Sequence, residues 1–216
     1  GNIFPLADLK EVAATIVTKK HEYENRHWFG EFVMPTNGKV IWKNGSSKDL
    51  VREWPIKDNK NKPGVVEIFE MPKKDKDGEA IRDRYIAGTD TYDDDESGTK
   101  SLGNIFILDT WTDRIVAEYT GRRLSDDFYE LTRRMCLFYK ALNNYEQNKK
   151  GLYIHYKKMN SLYLLAETPE ILKDEASVTI SKVGNRKYGT TATSQVNAYA
   201  LRLTLKWLIS HAYGED

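Results

Sequence analysis

RDRYIAGTDTYDDDESGTKSLGNIFILDTWTDRIVAEYTG, residues 82–121, holds three strand patterns in succession. RYIAGTD alternates apolar and small or polar residues and ends on Asp90. An acidic, glycine-containing loop leads to LGNIFILD, and the turn TWTD joins that run to RIVAEYTG. Such runs separated by Gly, Asp and Ser predict a three-strand meander. Asp93, Asp94 and Asp95 follow Asp90 within five residues. They suit either a solvated turn or one wall of a metal site.

A helix pattern comes next. Ser125 is the expected N-cap, Asp126 and Asp127 suit the first turn, and Phe128, Leu131, Met135, Phe138 and Leu142 share one stripe. NNYEQN reads as a short strand with Glu146 near its end, KKGLYIHYKKMN as a helix and LYLLAE as a strand. QVNAYALRLTLKWLISHAY reads as a long closing helix. Before the meander, LADLKEVAATIV is a helix candidate entered through Pro5, followed by KKHEYENRH. WFGEFV, KVIW and VVEIFE are short strands between Asn- and Gly-rich turns, and MPKKDKDGEA is an exposed turn. Three strands, helix, strand, helix, strand is the order of an α/β ribonuclease-H-like mixed sheet with flanking helices. Residues 81–216 are expected to form that core, and residues 1–80 an N-terminal helix and β-rich extension of the same domain.

Length and composition bound the rest. At 216 residues the chain is long enough to bury one domain core. Its 33 Lys and Arg nearly cancel its 32 Asp and Glu, so nucleic-acid binding has to rest on local patches. The single cysteine, Cys136, lies inside an apolar helical pattern; it rules out a disulfide framework and fits core packing in a reducing compartment. No apolar run reaches transmembrane length and no signal peptide precedes the first element, so no membrane partner is expected. The start at Gly1 rather than methionine is expected of a piece of a longer chain. His21, His27, His155 and His211 show no zinc spacing, and neither a GxSxG elbow nor a GxxxxGK[ST] loop occurs.

In the expected topology the first strand is central and the fourth lies beside it. Asp90 and Glu146, 56 positions apart, then stand at neighbouring strand ends. Adjacent carboxylates repel until neutralised, and hard divalent cations with oxygen ligands do this well. Two such ions, roughly 3.5–4 Å apart, activate a water and stabilise a leaving oxygen in phosphodiester hydrolysis. Asp93, Asp94 and Asp95 are read as rim surface, with one of them able to hold a second ion through water; Thr89 and Thr91 are read as structural. Arg122 with Arg123, Lys149 with Lys150, Lys157 with Lys158 and Arg186 with Lys187 are each, alone, a solvated pair. Gathered around the acids they would hold a phosphate backbone without reading bases. Lys149 and Lys150, beside Gly151, are the strongest of these. Tyr188 is read as a turn or core residue rather than a base-stacking one.

The ordered landmarks resemble the C-terminal nuclease domain of the large terminase subunit of tailed bacteriophages. GNIFPLADL resembles the segment that follows that family's ATPase domain, and YIAGTD its first-strand Gly-x-Asp. IFILDTWTDRIVAEYTG resembles its paired second and third strands. LSDDFYELTRRMCLFYKALNNYEQNKKG resembles its helix followed by Glu-x-Asn-x-x-Gly, and RKYGTTATS its late Gly-x-x-Thr-x-x-Thr. The resemblance covers most of residues 85–200. It implies Asp90 and Glu146 as ligands of Mg2+ or Mn2+ (two ions) and double-stranded DNA as substrate. It further implies an ATPase domain in the same full-length chain, portal and small terminase as partners, and the host cytoplasm during virus assembly as the setting. The family's third carboxylate has no clear counterpart among Glu167, Glu170, Asp174 and Glu175. By order it belongs beyond the closing helix, where Glu215 and Asp216 stand, or past the end of this sequence, the reading we favour.

Overall fold

The structure, a computed structural model, describes residues 28–51, 62–93, 101–169 and 188–213, together with Ala7, Lys10 and Ala14. Those three residues are helical; the rest of the expected first helix and KKHEYENRH lie outside the described residues.

One mixed sheet of seven strands organises the chain. In chain order the strands are β1 (Trp28–Val33), β2 (Ile41–Asn44), β3 (Val66–Ile68), β4 (Tyr85–Asp90), β5 (Gly103–Asp109), β6 (Arg114–Gly121) and β7 (Leu142–Tyr145). Their order across the sheet is β2-β1-β3-β6-β5-β4-β7. All pairings are antiparallel except β4 with β7, which run parallel. The meander is therefore β4-β5-β6, and the strand after the helix lands on the free edge of β4. The β1-β2-β3 group, read from sequence as an extension, continues the same sheet through β3 and β6.

Period-two burial sets the two faces. In β4, Tyr85, Ala87 and Thr89 are buried, whereas Ile86 and Asp90 are exposed and Gly88 half-buried. α1 (Ser125–Tyr139) packs on the buried face, where Phe128, Leu131, Met135, Cys136 and Tyr139 join Ile105, Ile107, Tyr119 and Ile68 in one core. Burial pushes the Cys136 thiol up to about 12, as expected of a packing residue. On the opposite face Ile86, Phe106 and Leu142 remain exposed.

Several expectations change at element ends. The N-cap of α1 is Leu124, which makes no side-chain cap bond, and Ser125 is already the first helical residue. The helix stops before the end of the predicted stripe because Lys140 adopts a left-handed conformation (φ 52°) with its N–H returned to the Cys136 and Leu137 carbonyls. Leu142, the last residue of that stripe, belongs to β7. LYLLAE is a short 3-10 turn, Leu162–Leu164, followed by single bridges from Leu165 to Asn143 and from Glu167 to Tyr188. Its burial explains this: Leu164 and Leu165 are both buried and Tyr163 is exposed, a pattern no flat alternating strand satisfies. α2 (Gly151–Lys158) and α3 (Ser194–Tyr213) lie where helices were read from sequence. Trp207 of α3 donates from its indole N–H to the Asp113 carbonyl at the β5–β6 turn.

Candidate active site

The parallel ladder runs Ile86↔Leu142, Ala87↔Asn143, Gly88↔Asn144 and Thr89↔Tyr145, so Asp90 and Glu146 are the next residues on both strands. Strands about 4.8 Å apart in register send such residues to the same face. That face is the exposed one, shared with Gly88 and Asn144. Two carboxylates far apart in sequence thus share a sheet edge. The Asp90 carboxyl is held above its ordinary value, first by loss of solvation and then by the Glu146 charge; the Lys149 charge and the Thr91 amide oppose this. The repulsion between the acids is only partly relieved by the chain itself.

Neighbouring groups complete the surroundings. Asn148 donates to Glu146 at 3.4 Å. Glu146 is bridged in parallel to Thr190, whose hydroxyl donates to Asn144 at 2.9 Å. Thr191 donates to Gln147, which donates to the Tyr188 carbonyl. The Gly189–Thr193 segment therefore extends the sheet edge beside the acids. Behind them, on the α1 side, the Thr89 hydroxyl meets Asn143 Oδ1 at 2.7 Å, and Asn143 continues to Tyr156, which meets Thr132. Gly88 allows the Phe106 ring to lie across the exposed face next to Asp90, since a Cβ there would meet that ring at 2.5 Å.

The basic residues divide. Lys149 is half-buried and Lys150 exposed, and neither ammonium makes an ion pair among the described residues. Arg122 donates to the Ser101 carbonyl and lies over the Tyr92 ring at 4.8 Å. The Arg123 guanidinium is committed inside the protein. It donates to Glu31 at 2.7 Å and to the Pro63 and Gly64 carbonyls, and it covers the Tyr119 ring. It ties β1, β3 and β6 together and is no part of an open basic surface. Lys157 and Lys158 end α2, where cations suit the helix dipole. Asp94, Asp95, Arg186, Lys187 and Asp216 lie outside the described residues, as do Glu170, Asp174, Glu175, Glu215, His21 and His27. Glu167 is exposed beside Tyr188. His155 pairs with Glu130 at 3.0 Å, away from the acids.

Asp93 has a definite structural place. Its carboxylate accepts from the Lys150 amide at 2.8 Å and the Gly151 amide at 3.2 Å, and the Tyr129 hydroxyl lies 2.9 Å from it. Nothing in the run of acids distinguishes this residue from Asp94 or Asp95; only the fold does. The other feature unread in the sequence is Glu130, which gathers Arg133, Arg134 and His155. Burial raises its carboxyl, but these three partners prevail and hold it far below the usual range.

Asp90 and Glu146, both oxygen donors at one sheet edge, fit one hard divalent cation that keeps several waters. Among the described residues no three His, Cys, Asp or Glu side chains converge on one metal position. A cavity of about 720 Å³ lies at the other end of the sheet, between Met71, Phe138, Lys140 and Tyr163, and contains none of these residues. Among the described residues no helix is long and apolar enough to cross a membrane. Comparisons with protein-family models, curated proteins and solved structures returned no match.

Proposed function

We propose that the chain is the metal-dependent endonuclease domain of a viral DNA-packaging terminase, cutting double-stranded DNA, with a ribonuclease-H-like core. The observation that carries this reading is the register of β4 on β7, which sets Asp90 beside Glu146 at one sheet edge. The order β6-β5-β4-β7 with only the last pair parallel supports the fold assignment. Asp90 and Glu146 would hold Mg2+ or Mn2+. A bound cation of this kind supplies a lowered water pKa and neutralises phosphate charge. The chain's own part is to hold the two carboxylates aligned, through the Thr89–Asn143 bond beneath them and the Thr190–Asn144 bond beside them. Lys149 and Lys150, which follow Glu146, would contact the backbone phosphate and give position without base reading. Completion of a two-ion site would fall to a third acid past the end of this sequence, the reading we favour, with Glu215 or Asp216 and, through water, Asp94 as weaker candidates. The full-length partners on this reading are an ATPase domain in the same chain, portal and small terminase, in the host cytoplasm.

A second reading is a DNA- or portal-docking module without catalysis, favoured by the presence of only two converging acids among the described residues. Incubation with supercoiled plasmid and Mn2+ separates the two. Cleavage by wild type and its loss in Asp90→Ala and Glu146→Ala supports the nuclease. Nicking that survives both substitutions rejects this site. If wild type does not cut, a chain extended past Asp216 is assayed, and continued inactivity there favours the docking module.

A further inference from the structure

We infer that Asp93 is a positioning residue that locks the exit of β4 to the exit of β7, and so sets the spacing of Asp90 and Glu146. The inference rests on the nuclease reading for its consequence, but its geometry stands by itself. Asp93 follows Asp90 by three residues, while Lys150 and Gly151 follow Glu146 by four and five. The carboxylate spans these two chain segments, with Oδ2 on the Lys150 amide at 2.8 Å and Oδ1 on the Gly151 amide at 3.2 Å. Both acceptor atoms are used, and both donors belong to the start of α2, where free amides and the helix dipole favour a negative charge.

A third element fixes the same point. The Tyr129 hydroxyl of α1 lies 2.6 Å from the Tyr92 carbonyl and 2.9 Å from Asp93 Oδ1, so its one proton is shared between adjacent acceptors. Tyr92 is in turn stacked on Phe128 at 5.4 Å, and its hydroxyl donates to the Arg123 carbonyl. Gly151 leaves room for this arrangement, because a Cβ there would collide with the Tyr129 hydroxyl. Strand pairing ends at Thr89 and Tyr145. Beyond that point Asp90 is still paired with Asn104 of β5 and Glu146 is bridged to Thr190, but β4 and β7 no longer pair with each other, and the Asp93 contacts join the segments that follow them. Charge-assisted bonds to fixed amides hold geometry more tightly than neutral ones.

The test uses Asp93→Ala and Asp93→Asn, with Asp75→Ala as control. Asp75 accepts from the Asp77 and Glu79 amides in a distant turn and so performs the same local task away from the acids. Amide hydrogen exchange is followed at Thr91 and Lys149, which Asp93 does not touch. In Asp93→Ala both should exchange faster together, with the rest of the sheet unchanged and Asp93→Asn intermediate; the control should leave them unaltered. Calorimetric titration with Mn2+ should show affinity lowered about 10–100-fold in Asp93→Ala, the range for residues that orient a metal ligand. Unaltered exchange at both amides in a folded Asp93→Ala protein overturns the positioning role. Exchange changes that appear while neither wild type nor a chain extended past Asp216 binds Mn2+ reject the nuclease reading and leave the lock established.

Discussion

Replacing Asp109 by Ala should unfold the protein more readily than any other single loss of a charge outside the site. Asp109 is fully buried at the end of β5, and its carboxylate receives Arg84 Nε at 3.0 and 3.1 Å, Arg84 Nη2 at 2.6 Å and the Trp111 amide at 3.0 Å. The Arg84 side chain is only 9% exposed and lies under the Trp111 ring at 4.6 Å, so it is largely shielded from water when its partner is lost. Breaking one half of a buried pair costs about 3–5 kcal/mol, because the other charge is left uncompensated. With a domain of this size losing about 2–4 °C per kcal/mol, the melting temperature should fall by roughly 6–20 °C. The pair adjoins Tyr85↔Asp109, the first rung of a ladder that ends at Asp90↔Asn104. It therefore pins the far end of the register on which the Asp90 position depends, since a one-residue slip would turn Asp90 to the buried face. Urea and thermal unfolding of Asp109→Ala measure the cost. The double replacement Arg84→Met with Asp109→Leu should recover most of the loss, as apolar pairs of similar volume commonly do. A loss below about 1 kcal/mol in Asp109→Ala, against the 3–5 kcal/mol expected, would refute the account of this pair.

The same carboxyl gives a pH prediction. Burial raises it, but the Arg84 bonds and charge and the Trp111 amide together hold it below its ordinary 3.8. Its contribution to stability is then fully present above that value and lost as pH falls through the lower folded value; urea unfolding from pH 6 downward should show an acid loss that Asp109→Asn lacks. Asp90 has the opposite sign. Its raised carboxyl favours the proton in the folded state, so at pH 7 Asp90→Asn should melt higher than wild type, with the difference shrinking as pH falls toward 4 and, on the proposed nuclease reading, with cleavage lost. NMR titration of Glu146→Gln should find the Asp90 carboxyl lower than in wild type but still raised, because loss of solvation is the larger cause. Gly88→Ala should cost about 1–3 kcal/mol through its clash with Phe106, and Phe106→Ala added to it should recover part of that; unfolding of the single and double variants decides it.

The parts legible in the sequence were those where periodicity and chemistry coincide. YIAGTD and GNIFILD alternate in burial, RIVAEYTG does so apart from the doubled Val116 and Ala117, and all three are bounded by turn residues and lie where they were read. The pairing of Asp90 with Glu146 followed from the order of elements, because a strand after the α1 crossover can reach the free edge of β4. Less was legible at helix ends, where Lys140 stops α1 by backbone geometry that its residue type does not announce. The LYLLAE run misled because five apolar residues in six fit a strand or a tight turn equally well, and the buried space beside Leu164 and Leu165 decided it. The roles of Arg123 and Asp93 were illegible for a different reason. Each belonged to a group of like charges, and only contacts from distant chain positions, Glu31 and Pro63 for one and Tyr129 and Gly151 for the other, tell its members apart.

The sheet between β4 and β7 keeps two kinds of polar chemistry apart. On the α1 side, Thr89, Asn143, Tyr156 and Thr132 form a buried chain whose hydrogen bonds are made internally. Such a network is rigid, since any member that moves leaves a costly unpaired group. On the other side, one residue further along each strand, Asp90 and Glu146 carry charge that the chain does not fully balance. Thr89 and Asp90 are neighbours, so movement of the acid means movement of a residue bound into the rigid chain beneath. A stiff interior thus supports a pair of groups whose mutual repulsion would otherwise part them. That arrangement is expensive for a surface with nothing to bind and useful for one that holds a cation against a phosphate.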